Sequence, residues 1–261
     1  MDPSEENVNN GINEVEITSL EQYIERVYEI MKANPPKKLI FRGHQLTTYV
    51  LKPGVGRPDL ELNVNQEKTI FYEFKRNYKR FYPIDLNNDF DILMLAQHYG
   101  LKTRLLDWSY NPFIALYMAT EPLVENGREI NRDPNAITDR ISDGIVYIKK
   151  IPDEAPLIEG KEKDPFNISK NTYLVPENFE IRFINQEGLF EIFANPTQES
   201  TNHLCYKIKI AGDKKQEIRE KLEILGYNEL YVYPTLEHLG KQINKIVSCN
   251  EARNEDERNE K

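Results

Sequence analysis

Several signals that would make function easy to read are missing or scarce in this sequence. There are two cysteines, Cys205 and Cys249, and neither has a C-x-x-C partner. That excludes a disulfide-stapled scaffold and a thiolate zinc site, and it fits reduced thiols in a cytoplasm. The four histidines, at 44, 98, 203 and 238, show no H-x-x-H or H-E-x-x-H spacing, so no metal centre is expected. "GVGRPD" at 54–59 lacks the Gly-Lys-Ser/Thr end of a P-loop, and no G-x-S-x-G elbow occurs. No apolar run reaches the roughly 18 residues of a transmembrane helix. The start, MDPSEENVNNG, is acidic and polar, unlike a secretory signal or an Arg-rich transit peptide. The expectation is a cytoplasmic protein with no membrane partner.

Positive charge is also short. There are 34 Lys and Arg against 43 Asp and Glu, a net charge of -9. Tight non-specific DNA binding is therefore not expected, because it needs clustered cations that release counterions from phosphate. The one basic cluster, "FKRNYKRFY" at 74–82, has helical apolar spacing and reads as a buried helix face with a solvated basic face. A local meeting with RNA or a protein target stays open.

What is present fits a globular domain. Of 261 residues, 39% are hydrophobic and 30% charged, which permits a sizeable core. Residues 1–14 read as a flexible arm, 15–248 as one domain, and 249–261 as a charged flexible tail. Ser19 and Gln22 predict a capping box before a helix that "NPP" at 34–36 ends. "KLIF" at 38–41 reads as a strand delivering Arg42, Gly43 and His44. Helices follow over 65–81 and 89–99, with Gly100 as the left-handed residue after the second. Residues 101–111 read as a loop. Asn111 caps a helix with Pro112 in its first turn.

Residues 126–143 and 151–171 read as loops. "GIVYIKK" (144–150), "FEIRFI" (179–184), "GLFEIFA" (188–194), "LCYKIKI" (204–210) and "ELYVY" (229–233) read as strands. Asp213 and Gln216 suggest another capping box, and "TLEHLGKQINKIV" a final helix. The fold class is α+β, a single domain. Its helices fall mostly in the N-terminal half and pack on a mixed or antiparallel sheet from the C-terminal half.

The densest chemistry lies in "AQHYGLKTRLLDWSYNPFIALYMAT", residues 96–120. One reading is a rigid corner. Arg104 and Asp107 would clamp it by an ion pair, Thr103 and Ser109 would bond nearby backbone, and Trp108 would be core. The other is a site. Arg42, leaving a strand at Gly43, suits bidentate phosphate or carboxylate recognition, and the glycine lets another backbone or a ligand come close. His98 can exchange a proton near neutral pH or donate to phosphate or ribose. On this reading Arg42, His98, Arg104 and Asp107 converge.

The pieces "FRG" (41–43), "AQHYGLKTRLLDW" (96–108), "NPFIALYMA" (111–119), "NQEGLF" (185–190) and "YPTLEHLGK" (233–241) together resemble the FRG domain family of bacteria and phages. The resemblance runs from about residue 20 to residue 245. Where that family usually has Pro-Asp-Leu near its end, this chain has Thr235 between Pro234 and Leu236, so no catalytic part is assigned there.

The order of parts also resembles ADP-ribosyltransferases, with an early arginine, a Thr-containing middle motif, and a late Gln-Glu. "TRLLDWS" stands in place of that superfamily's Ser-Thr-Ser run, and "NQEGLF" in place of its Glu-x-Glu. This resemblance implies NAD as substrate. Arg42 would hold the pyrophosphate, and His98 and Tyr99 the ribose and nicotinamide. Thr103, Arg104, Asp107 and Gln186 would line and fix the cleft, while Glu187 offsets charge on the ribose. The implied function is a nucleotide-using toxin or effector in bacterial or phage defence. The alternative is a non-catalytic module that recognises a phosphorylated ligand or a phage protein.

Overall fold

Local capping chemistry starts most of the helices. In the computed structural model, which describes residues 12–35, 38–86, 88–125, 128–130, 141–152, 164–176 and 180–245, strand β1 (Asn13–Ile17) leads into α1 (Leu20–Lys32). Ser19 Oγ accepts from the Gln22 N–H at 3.3 Å, and Gln22 Oε1 accepts in return from Thr18 N at 2.8 Å. Strand β2 (Leu39–His44) carries the Phe-Arg-Gly tripeptide. Helix α2 (Val64–Asn77) has a full capping box between Asn63 and Gln66. Helix α3 (Asp89–His98) ends at Gly100, whose φ of +90° closes it. Then come β3 (Leu105–Ser109) and α4 (Pro112–Thr120), the latter capped by Asn111 with Pro112 at its start. The second half runs β4 (Leu123–Glu125), β5 (Arg128–Ile130), β6 (Gly144–Lys150), β7 (Thr172–Leu174), α5 (Ile181–Asn185), β8 (Gly188–Ile192), β9 (Leu204–Ile210), α6 (Lys215–Ile224) and α7 (Glu229–Val232). Residues 236–245 are helical. None of the helices described is long and apolar enough to cross a membrane.

Seven strands form one mixed sheet in the order β1-β9-β6-β2-β3-β8-β7, in which only β1 and β9 are parallel. One face buries α1, α4 and α6 through Tyr23, Ile114, Leu116, Ile148, Ile210 and Leu222. The same face continues under α2 and α3, with Phe71, Leu93, Leu105 and Phe190. The opposite face carries Ile40, Leu106, Trp108, Tyr147 and Leu189, covered by Leu51 and Ile151.

Helix α4 lies directly on the sheet. A Cβ at Gly43 would sit 1.9 Å from the Ala115 carbonyl, and one at Gly144 would sit 2.3 Å from the Ala119 carbonyl. The Phe-Arg-Gly glycine therefore admits a helix backbone, and the paired alanines of "NPFIALYMA" are the other half of that contact.

The α+β class and the mixed sheet are as expected, but helices and strands are spread along the whole chain rather than split between its halves. Strand β3 lies inside the expected loop 101–111. Being central, it buries Leu105 and Leu106 on opposite faces, and adjacent apolar residues show no period-2 pattern. "FEIRFI" alternates like a strand, yet its end is α5, in which Phe183 alone is buried. The segment at 229–233 is α7, capped by the Asn228 side chain. The capping box of Asp213 does not form, since α6 starts from Lys214 with no side-chain cap. Of the basic helix, Phe71 and Tyr78 are buried as expected while Phe81 is exposed. Part of the expected arm, from Asn13, pairs with β9. Most of the arm and the tail from 249 lie outside the described residues.

Candidate functional site

The sheet is split at its centre. β2 and β3 share a single register pair, Phe41 with Ser109. Beyond that pair the ladder stops, and the Arg42 guanidinium bridges the gap. Its Nη1 donates to the Asp107 carbonyl and lies 3.6 Å from the Asp107 carboxylate. Its Nε donates to His44 Nε2 at 2.9 Å. That imidazole must be neutral to accept, so its Nδ1–H donates to the Tyr49 carbonyl at 3.2 Å. Burial, then the charges of Arg42 and Arg57, hold His44 down to about 3.

Two cavities open at this split. The smaller, about 200 Å³, is lined by Arg42, Arg57, Lys102, Asp107, Arg182 and Gln186, with His98 and Thr103 on its wall. Four cations face one carboxylate there. The larger, about 560 Å³, shares Arg42, Arg57, Asp107, Arg182 and Gln186. It adds Tyr49, Val50, Met118, Glu121 and Tyr233. Among the described residues, no carboxylate lies within ion-pair distance of Arg57 or Arg182. Arg57 Nε donates to the Lys52 carbonyl at 3.4 Å, and Arg182 stacks 4.9 Å from the Tyr233 ring centre. Two guanidinium groups thus line the cleft with no ion pair among the described residues.

The structure brings Arg42, His98, Thr103, Asp107 and Gln186 into this cleft and leaves Arg104, Tyr99 and Glu187 out of its walls. His98 packs between Tyr99 and Phe183, with Nε2 3.9 Å from Glu180 and Nδ1 buried without a partner. Burial and then Arg182 lower it to about 4, against the pull of Asp107, so it is neutral at physiological pH. Tyr99 is mostly exposed. Thr103 Oγ1 bonds Gln97 and accepts from Leu105 N at 3.0 Å, tying down its own turn.

The expected Arg104–Asp107 clamp is not made. Asp107 meets Arg42 at 3.6 Å, while Arg104, just before β3, lies within reach of α2. Arg104 instead holds Glu67 in a bidentate pair at 2.9 and 3.0 Å and donates to the Phe193 carbonyl at 3.2 Å, all buried. Trp108 is core, as expected, and its Nε1 donates to Glu191 at 3.1 Å. Of the Gln-Glu pair, Gln186 is buried and faces the cleft. It caps α5, donating to the Val232 carbonyl at 2.9 Å. Glu187 follows at φ +45° in the left-handed turn into β8. That turn sends its carboxylate outward, where it accepts from the Asn111 amide at 3.0 Å.

His44, Arg57 and Arg182 were not marked as site residues by the sequence. Each sits in a stretch with a stronger local meaning: a strand end, a Gly-Pro loop, and an apparent strand.

Acid should expose the role of His44. The unfolded chain binds a proton there below about pH 6.5, whereas the folded chain keeps the ring neutral to about 3. Stability is therefore lost as pH falls, by about 2 kcal/mol at pH 5. His44→Gln keeps an acceptor for Arg42 and removes the titration. Denaturant melts at pH 7 and pH 5 should show a smaller acid loss in this variant than in wild type, and equal losses would remove the assignment.

A model of the FRG domain matches residues 37–127. Over those residues the chain is similar to the FRG domain. The match spans β2 through β4 and so includes Arg42, His44, Arg57, His98 and Asp107, while Arg182 and Gln186 reach the FRG cleft from beyond it. No curated protein and no solved structure matches the chain.

Proposed function

We propose that the FRG cleft recognises the phosphate end of a nucleotide or related phosphorylated ligand. Three guanidinium groups carry this reading: those of Arg42, Arg57 and Arg182 line both cavities, and two of them have no carboxylate within ion-pair distance among the described residues. Arginine is the natural partner for phosphate because its planar fork can give two parallel charge-assisted hydrogen bonds. The small cavity suits the phosphates. The larger one, with Tyr49 and Val50 exposed on its rim, suits a nucleoside body. The net charge of the chain is -9, so this positive cleft is a local construction rather than a consequence of composition.

Recognition takes precedence over ADP-ribosyl transfer in this reading because Glu187 lies outside the cleft. A transfer activity on NAD would need another carboxylate beside the ribose. Asp107, half exposed and facing Arg42, supports that second reading. A role in bacterial or phage defence, and a protein or RNA target, are compatible with either.

Calorimetric titration with pyrophosphate, ADP, NAD and adenosine tests the proposal. The three phosphorylated compounds should bind and adenosine should not. Binding that follows the adenine ring instead of the phosphates would overturn it. Released nicotinamide in the NAD arm, lost in Asp107→Asn, is the outcome that selects transfer. Glu187→Gln should leave ADP affinity unchanged, and a loss of affinity would return Glu187 to the site.

A further inference from the structure

Two lysines are buried among the described residues, and they are held in different ways. Lys149 donates to Glu191 Oε1 at 2.8 Å and to Ser200 Oγ at 2.5 Å, and the adjacent carboxylate offsets part of the burial that disfavours its charge. Lys215, 7% exposed, has no carboxylate within ion-pair distance among the described residues. Its Nζ donates to the Gln45 carbonyl at 2.6 Å. The acid that acts on it, Asp143, is committed elsewhere, to Lys209 Nζ at 2.9 Å and to the Gly212 N–H at 2.8 Å. Burial prevails, and the Lys215 ammonium is lowered to about 8.

Lys215 also lines a cavity of about 350 Å³, together with Glu121, Ser142, Asp213, Gln216 and Arg219. This cavity backs onto the FRG cleft, and Glu121 lines both. The Glu121 carboxyl is raised by burial, against the bond from Tyr233 and the charge of Arg219. One space thus holds an ammonium whose charge burial disfavours and a carboxyl whose neutral form burial favours, the latter 4.0 Å from Arg219. Environments that push an acid and a base toward neutrality are what general acid–base chemistry requires. A neutral amine still has two N–H donors, so the bond to Gln45 survives deprotonation while the lone pair turns to the cavity.

We propose that Lys215 is a reactive amine that captures small polar aldehydes as an imine, with Glu121 supplying the proton for loss of water. The neutral Nζ attacks the aldehyde carbon. The carbonyl π pair moves to oxygen, which takes up the proton that nitrogen gives up, forming a carbinolamine. Protonation of its hydroxyl by Glu121 lets water leave as the C=N bond forms, and the resulting iminium returns its N–H proton to the Glu121 carboxylate to give the imine. One water is released and nothing is oxidised or reduced. Desolvated lysines are the usual amines for such chemistry. This inference stands apart from the phosphate reading of the cleft.

The test uses the full chain, pyridoxal 5′-phosphate as the aldehyde probe, and borohydride to reduce any imine, with peptide mass spectrometry to place the label. At pH 7.5 Lys215 should label about tenfold or more faster than the surface lysines, because a larger fraction of it is unprotonated. Lys215→Arg, which keeps a donor to Gln45, should lose this fast label. Glu121→Gln should slow labelling at Lys215 by about a hundredfold, the usual worth of a general acid. Label spread evenly over surface lysines in the wild type would overturn the proposal without recourse to any variant. Full-rate labelling in Glu121→Gln would overturn the role given to that carboxyl.

Discussion

Arg104→Leu is expected to destabilise the fold by about 3–5 kcal/mol. The substitution leaves the Glu67 carboxylate buried with no counter-charge, since Arg104 supplies both of its bonds, at 2.9 and 3.0 Å. For a chain of this size the melting temperature should fall by roughly 6–20 °C. Asp107→Asn is the contrasting variant. Its carboxylate is 52% exposed and meets Arg42 at 3.6 Å, so it should cost about 1 kcal/mol or less. Thermal melts of the two variants side by side check the assignment of Arg104 to the core and Asp107 to the cleft. Equal falls would contradict it.

Gly43→Ala should be nearly as damaging, at about 3 kcal/mol or more. The new methyl would lie 1.9 Å from the Ala115 carbonyl and 2.7 Å from the Ala119 amide nitrogen, and both are helix backbone that cannot rotate away. Relief requires α4 to lift off β2, which opens the core around Ile114, Leu116 and Phe41. Because Arg42 and His44 flank the glycine, the same shift should displace the cleft. Gly100→Asn is the control. That glycine has φ +90° with open space around it, and asparagine tolerates left-handed backbone. Urea melts in which Gly43→Ala matches wild type would show that α4 is not seated as described.

These two residues also show how far the sequence could be read. Gly43 was legible as a point of close approach, because only a missing Cβ explains a glycine inside a strand. What approaches it was not legible, since the α4 residues it meets, Ala115 and Ala119, come far later in the chain, beyond α2, α3 and β3. Arg104 was legible as a clamp, but its partner was taken to be the nearest acid. The true partner, Glu67, sits on α2 and is matched by tertiary packing alone. Elements governed by local chemistry could be read directly: the caps at Ser19 and Asn111 and the turn at Gly100. Elements governed by burial on both faces, such as β3, could not, because they carry no periodic signature. The cleft itself depends on a break in the ladder between β2 and β3, which no local pattern announces. For the same reason Arg57 and Arg182, which come from a loop and a short helix, did not stand out.

Arg182→Ala is the most direct probe of the phosphate-binding reading. The side chain makes no ion pair among the described residues, so its removal costs only the stacking on Tyr233, about 0.5–1 kcal/mol, and should lower the melting temperature by a few degrees at most. Its loss should still weaken the binding of ADP or pyrophosphate by about 10- to 100-fold, the worth of one hydrogen bond to a charged group at roughly 1.5–3 kcal/mol. The measurement is calorimetric titration of ADP into wild type and Arg182→Ala at one fixed salt concentration. A clear loss of affinity in a variant that remains folded and melts close to wild type is the predicted result. Wild-type protein that binds neither ADP nor pyrophosphate, or a variant that binds as tightly as wild type, would contradict the account.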